Sequence, residues 1–77
     1  MDKKFEDILN QINPEILESE GVDLVEEEIL DSLLIMNLVA ALESAYSFDF
    51  DPDDIMPENF ASAEAIWKMV EKYKGEN

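Results

Sequence analysis

Ile29-Leu30-Asp31-Ser32-Leu33-Leu34-Ile35-Met36-Asn37-Leu38-Val39-Ala40-Ala41-Leu42-Glu43-Ser44-Ala45-Tyr46 is the stretch that decides how the rest of this chain reads. Its Asp-Ser pair suits a helix start, and no Gly or Pro interrupts the run that follows. Turning each residue by about 100° around a helix axis puts Leu34, Ile35, Leu38, Val39, Leu42, Ala45 and Tyr46 on one broad side. That side must face a core. The opposite arc carries Ser32, Asn37, Glu43 and Ser44, but also Leu33, Met36 and Ala40. These three are apolar residues on what should be the wet face, spaced about a turn apart and beginning beside Ser32. An apolar stripe left in water marks a docking surface.

Upstream, Phe5, Ile8, Leu9 and Ile12 fall at helical spacing, which predicts a first helix over residues 2 to about 12. Asn13-Pro14 interrupts it, because the residue before proline avoids the α region and proline has no N–H to donate. Pro14 can start another turn through Ile16 and Leu17, ending near Gly21. Val22-Asp23-Leu24-Val25 shows no period and reads as an extended loop. The run Glu26-Glu27-Glu28 reads as a solvated face. Downstream of the key stretch, Phe48 and Phe50 alternate with Asp49 and Asp51 as in a short strand, but Pro52 and Pro57 argue instead for a loop whose aromatics plug the bundle. Residues 57–61 can hold one short helical turn. Ser62 suits the N-cap of a last helix, with Ile66, Met69, Val70 and Tyr73 as its buried stripe and Trp67 half exposed. Lys68, Lys72 and Lys74 lie towards its C-terminus, where the helix dipole favours cations, and Gly75 ends it. The expected fold is all-α, a small four-helix bundle of three longer helices and one short one, in a single domain over residues 1–77.

Composition limits the chemistry. Seventy-seven residues leave room for one thin core, and 47% hydrophobic residues are too many for a disordered chain. With no cysteine and no histidine there is no disulfide, no thiolate metal site and no imidazole base. Five lysines against 20 acids give a formal charge of -15. Nucleic acid and anionic membrane surfaces are repelled, whereas basic protein surfaces are attracted. The same repulsion predicts that salt and divalent cations stabilise the fold. Met1 opens directly into Asp2-Lys3-Lys4 with no apolar segment behind it, so a cytoplasmic protein is expected, with a monomer as the default.

Several chemistries fail on inspection. Ser32 as a self-sufficient nucleophile lacks a base, since all the lysines sit near the termini in charged surroundings. Any base for Ser32 must come from another protein. Asp49, Asp51 and Asp53 imitate the first half of a calcium-binding loop, but the loop needs Gly sixth and Glu twelfth, where Asp54 and Phe60 stand. Paired carboxylates are inevitable with so many acids and carry no information. Asp31-Ser32 has two readings left: a capping pair, or a modification site. A phosphodiester on Ser32 would lie at a helix N-terminus, where amides and the dipole favour an anion.

Leu30-Asp31-Ser32-Leu33, followed by an apolar helix, closely resembles the motif of the carrier-protein family, which includes acyl, peptidyl and D-alanyl carriers. Val22-Asp23-Leu24 with Glu26-Glu27-Glu28 resembles the loop that enters the motif. Phe48-Asp49-Phe50 resembles the segment closing the second helix, and Pro57-Glu58-Asn59-Phe60-Ala61-Ser62 the short third helix and the cap of the fourth. The resemblance implies that Ser32 bears 4'-phosphopantetheine, whose thiol holds an acyl, aminoacyl or peptidyl group as a thioester. It implies that Asp31 helps a phosphopantetheinyl transferase bind Mg²⁺ during attachment. Leu33, Met36 and Ala40 match the family's docking positions, the same three residues the helical wheel isolates. Implied partners are that transferase, an acyl- or aminoacyl-activating ligase, and downstream transferases with basic and apolar docking surfaces.

Two departures bear on subtype. The glycine often found shortly before the motif is replaced by Glu28 and Ile29, and Leu34, Asn37 and Ser44 stand where fatty-acid carriers often show acids. Ser32-Leu33-Leu34-Ile35-Met36-Asn37-Leu38-Val39 looks more like a peptidyl carrier, though such carriers commonly have His where Asp31 stands, and the Leu-Asp-Ser entry is shared with D-alanyl carriers. A free-standing, specialised carrier that is not an enzyme is the first expectation; pathways open to it are fatty-acid, polyketide or nonribosomal-peptide synthesis and D-alanylation. An unmodified acidic interaction module of the same fold is the alternative, and a weak calcium binder the third.

Overall fold

The computed structural model describes residues 1–75. Helix α1 spans Lys3–Ile12, a single turn α2 spans Glu15–Glu18, α3 spans Ser32–Tyr46 and α4 spans Ala63–Gly75. Two 3-10 turns, Pro52–Asp54 and Pro57–Phe60, lie between α3 and α4. No strand occurs among the described residues. This is the expected all-α bundle with three longer helices, and the short helix expected over 57–61 takes the tighter 3-10 form. Each of the two 3-10 turns opens on a proline, whose φ suits the first position and whose missing N–H is not needed there.

Helix boundaries follow local chemistry. Asp2 lies just outside α1 as its N-cap, accepting the Phe5 amide at 2.8 Å. Asn13 ends α1 in an extended conformation, φ -164° and ψ 115°, as a residue before proline must. Its side chain donates to the Ile29 carbonyl at 3.1 Å and accepts from Glu15 N–H at 3.0 Å, tying the end of α1 to the long connection. Ser62 caps α4 as expected, its Oγ accepting the Ala65 amide at 3.0 Å. Gly75 is the last residue assigned to α4, and how the chain proceeds beyond it lies outside the described residues.

The connection over 22–31 is the main difference from expectation. Residues 22–25 do not run extended; they enter a series of turns. Asp23 accepts the amides of Val25 and Glu26, the role in which short acidic side chains compete with regular structure. Leu24 is pinned at both backbone groups: its N–H donates to Ala61 O at 2.8 Å and its carbonyl accepts from Leu30 N–H at 3.0 Å. Leu24 and Leu30 are thereby both driven into the core. Buried leucines six residues apart in a turn follow no simple period.

The core draws on every segment: Phe5, Ile8 and Leu9 from α1, Ile16 from α2, Leu24 and Leu30 from the connection, Leu38, Val39 and Leu42 from α3, Phe50 and Phe60, and Ala63, Ile66, Met69 and Val70 from α4. The other four residues of the expected α3 face, Leu34, Ile35, Ala45 and Tyr46, are half-buried at its margins, as is Tyr73. Trp67 is half-buried as expected, its ring centroid 4.9 Å from that of Phe5. Phe50 does plug the bundle, against Phe60 and edge-on to Tyr73, while Phe48 stacks on Tyr73 at 4.9 Å. No polar or charged side chain is buried among the described residues, so the acids among them all face solvent or its margin.

Candidate functional site

The site is built at the start of α3. Asp31 holds φ -104° and ψ -178°, outside the helix, and its Oδ1 accepts the Leu34 amide at 2.9 Å. Its carbonyl accepts Ile35 N–H at 2.9 Å, which begins the helical ladder. Ser32 is therefore the first residue of a 15-residue helix, and its side chain is exposed. The amides of Ser32 and Leu33 make no hydrogen bond among the described residues, as the first N–H groups of a helix lack intrahelical acceptors. An anion bound to Ser32 Oγ would meet both of those amides and the positive end of the α3 dipole.

Upstream, two features aim the motif. Leu30 is fully buried and anchors the chain one residue before Asp31. Glu28 has φ +59°, a left-handed conformation that turns the backbone towards α3. This residue sits where the sequence lacks the glycine expected just before the motif, and the left-handed turn persists without it. Val25, Glu28, Leu30, Asp31, Ser32, Ile35 and Pro57 line an open groove beside the serine. Val25, Ile35 and Pro57 form the apolar side of this groove. None of the five lysines lines the groove, so no amine stands beside the Ser32 hydroxyl.

The expected stripe is where the wheel puts it. Leu33 is 70% exposed, Met36 53%, and Ala40 is also exposed, whereas Leu38, Val39 and Leu42 on the opposite side are buried. Ser32, Leu33 and Met36 thus share the N-terminal half of the helix that Asp31 caps, and Ala40 continues the stripe to a shallow depression bordered by Glu43, Ser44, Ser47 and Phe48. Sequence reasoning missed the groove itself and Met56, a further large apolar side chain 40% exposed, one residue before groove-lining Pro57. Met56-Pro57 was legible only as a break, because nothing local says that it will lie across from α3. The calcium-like acids do not assemble: no group of three or more metal-ligating side chains occurs among the described residues.

Beyond Ser32, the titratable side chains with shifted equilibria hold the bundle together. Asp2 lies below the ordinary carboxylate range because it accepts the Phe5 amide and the Tyr46 hydroxyl, with Lys74 nearby. Asp54 is likewise lowered by the Tyr73 hydroxyl and Lys72. Burial pushes both tyrosines upward, and their carboxylate partners reinforce the shift.

A capped helix start carrying an exposed serine, with an uncovered apolar stripe behind it, describes a carrier protein. Residues 3–69 match the family described as Phosphopantetheine attachment site, and the chain belongs to that family. Its cofactor is covalently attached 4'-phosphopantetheine, and the chain is a carrier protein. The D-alanyl carrier protein of Lactococcus lactis subsp. lactis (strain IL1403) is 32% identical over the whole of both chains. D-alanyl carrier proteins of L. lactis subsp. cremoris strains MG1363 and SK11 match equally, at 32% over both full lengths. No solved structure matches the chain. No helix among the described residues is long and apolar enough to cross a membrane.

Proposed function

We propose that Ser32 is the attachment residue and that the chain is a free-standing carrier of a small aminoacyl group, of the D-alanyl type. The observation that supports it most is the exposed Ser32 hydroxyl on the first turn of α3, with Asp31 engaged as the cap beside it. Attachment forms a bond from Ser32 Oγ to the phosphorus that carries pantetheine in coenzyme A and breaks that phosphorus's bond to the nucleotide part. The hydroxyl proton goes to a base on the transferase. Asp31 keeps one carboxylate oxygen free of the Leu34 amide, and that oxygen would be available to the Mg²⁺ that accompanies coenzyme A. Once bound, the group supplies the thiol that this cysteine-free chain lacks.

The aminoacyl cargo is supported by the names of the full-length relatives and by α3, which carries Glu43 as its sole acid where fatty-acid carriers often show several. Partners are then a phosphopantetheinyl transferase, an amino-acid-activating ligase and a downstream transferase, in the cytoplasm where coenzyme A is available. The protein acts as a monomer.

Intact mass after incubation with coenzyme A, Mg²⁺ and a broad-specificity phosphopantetheinyl transferase tests the assignment. The parent is expected to gain one phosphopantetheinyl unit and Ser32→Ala none. A folded parent that gains nothing from this or a cognate transferase would establish the unmodified interaction module instead. Loading the converted protein with D-alanine by an ATP-dependent ligase, against fatty acyl donors, tests the cargo.

A further inference from the structure

The peptide that leads into Leu30-Asp31-Ser32 is held from two sides. The Ile29 carbonyl and the Leu30 N–H belong to one trans peptide unit, so they point in opposite directions. The carbonyl accepts from Asn13 Nδ2 at 3.1 Å, across 16 residues of chain, at the corner between α1 and α2. The N–H donates to Leu24 O at 3.0 Å, and the Leu24 N–H is itself held by Ala61 O at 2.8 Å. Beyond this clamp each step to the serine is fixed: Leu30 by burial, Asp31 by its bond to the Leu34 amide. Asn13 also builds its own corner. Its N–H donates to Leu9 O, its carbonyl accepts Ile16 N–H, and its Oδ1 accepts Glu15 N–H at 3.0 Å. A corner of this kind asks only for a side-chain acceptor, which aspartate or serine supplies as well. The Nδ2 donor has no part in it and serves Ile29 alone.

We propose that Asn13 is a positioning residue for attachment at Ser32: its Nδ2, by holding the Ile29 carbonyl, fixes the peptide plane from which the serine is presented. The inference rests on the assignment of Ser32. Asn13 touches neither the serine nor the groove beside it and acts through the Ile29–Leu30 peptide. Without the donor, that peptide plane can turn about its two flanking bonds, and Ser32 Oγ spends less time aligned with the phosphorus it attacks. Misplacement of a reacting group costs rate even when its cause lies away from the chemistry. The exposed Leu33 and Met36 stand on α3 itself, beyond the clamp, so contact with a partner is left in place. Lost alignment is read in kcat, and lost contact in KM.

The test uses the full chain, with transfer from coenzyme A by a broad-specificity phosphopantetheinyl transferase and amide hydrogen exchange of the unmodified protein. Asn13→Asp keeps the acceptor for Glu15 N–H and removes the donor to Ile29. Asn13→Ser does the same without adding charge. Tyr46→Phe is the control, because it removes a cross-segment bond, Tyr46 hydroxyl to Asp2 at 2.7 Å, at the opposite end of α3. Both Asn13 variants are expected to fold, to lose about tenfold in kcat and to keep the parent's KM. Protection of the Leu30 amide should fall about tenfold beyond any change at Leu42, in the buried part of α3. Tyr46→Phe is expected to keep the parent's kcat. Asn13 variants with the parent's kcat overturn the proposal, and so does a rise in KM alone. An equal loss in Tyr46→Phe overturns it as well, since general loosening would then explain the effect. Two Asn13 variants that both unfold would make Asn13 a support of the whole bundle rather than of the serine. A parent that gains no phosphopantetheinyl unit removes the assignment of Ser32 and this inference with it, an outcome distinct from a converted parent that its Asn13 variants match.

Discussion

Asp31 Oδ1 accepts the Leu34 amide at 2.9 Å, so the residue preceding the exposed serine is itself what starts the helix on which that serine stands. In the proposed function one carboxylate serves two ends. It caps α3, and its second oxygen remains available to a cation beside Ser32.

These two roles separate by substitution. Asparagine caps helices about as well as aspartate, while alanine cannot. Asp31→Asn is expected to keep the parent's stability within about 0.5 kcal/mol, whereas Asp31→Ala loses about 1 kcal/mol in urea denaturation. Both are expected to be converted slowly at limiting Mg²⁺. Full conversion of Asp31→Asn at the parent's rate would confine Asp31 to its cap.

Glu28 carries a left-handed backbone at φ +59°. An L-residue there is disfavoured by about 1–2 kcal/mol relative to its right-handed form. Glycine removes that penalty and gives back part of the gain through the greater freedom of the unfolded chain. Glu28→Gly is expected to stabilise the fold by about 0.5 kcal/mol. Glu28→Val, with its branched β-carbon, should lower the melting temperature. Equal melting for all three would show that position 28 does not hold the left-handed turn.

Much of this architecture was legible because it is local. The α3 boundaries, the Ser62 cap and the stripe of Leu33, Met36 and Ala40 follow from caps and a 3.6-residue period. What was not legible is what depends on distant partners. The pinning of Leu24 needs Ala61, 37 residues later, and the groove beside Ser32 needs Pro57. No window of sequence contains both members of either pair. The engagement of Glu43 by the Phe50 amide was hidden for another reason: a carboxylate on an exposed arc has the same sequence signature whether it is bonded or solvated.

Asp54 sits below its ordinary value of 3.8 because it accepts the Tyr73 hydroxyl and, secondarily, because it faces Lys72. A folded value lower than the unfolded one contributes stability that is full above the unfolded value and is lost as pH falls through the folded value. Asp54→Asn is therefore expected to melt below the parent at pH 7, with the gap closing below about pH 4. Thermal melts of both proteins from pH 3 to pH 7 check this; a gap that is constant across the range would mean that ionisation of Asp54 contributes nothing.

A charge of -15 on so small a bundle acts against compaction at neutral pH. Screening reduces that repulsion over a Debye length of about 8 Å at physiological ionic strength. The melting temperature is expected to rise with NaCl and to rise further with millimolar Mg²⁺, without a saturable stoichiometric site. No change with either salt would show that the exposed acids are spaced widely enough to ignore one another.

The stripe itself can be tested without any partner being identified in advance, because burial predicts opposite results on the two sides of α3. Leu33 and Met36 are 70% and 53% exposed, so a charge at either position meets water. Leu38 is fully buried among the core residues, and a carboxylate there would lose its hydration without gaining a partner. Leu33→Glu and Met36→Glu are therefore expected to keep the parent's helicity and to change stability by less than about 0.5 kcal/mol. Leu38→Glu should unfold the chain. In the folded pair, a glutamate placed in an apolar socket must be desolvated on docking, so conversion at Ser32 should slow through KM. Loss of helicity in Leu33→Glu or Met36→Glu would make the stripe part of the core, and unchanged conversion kinetics in both would remove it from the transferase contact.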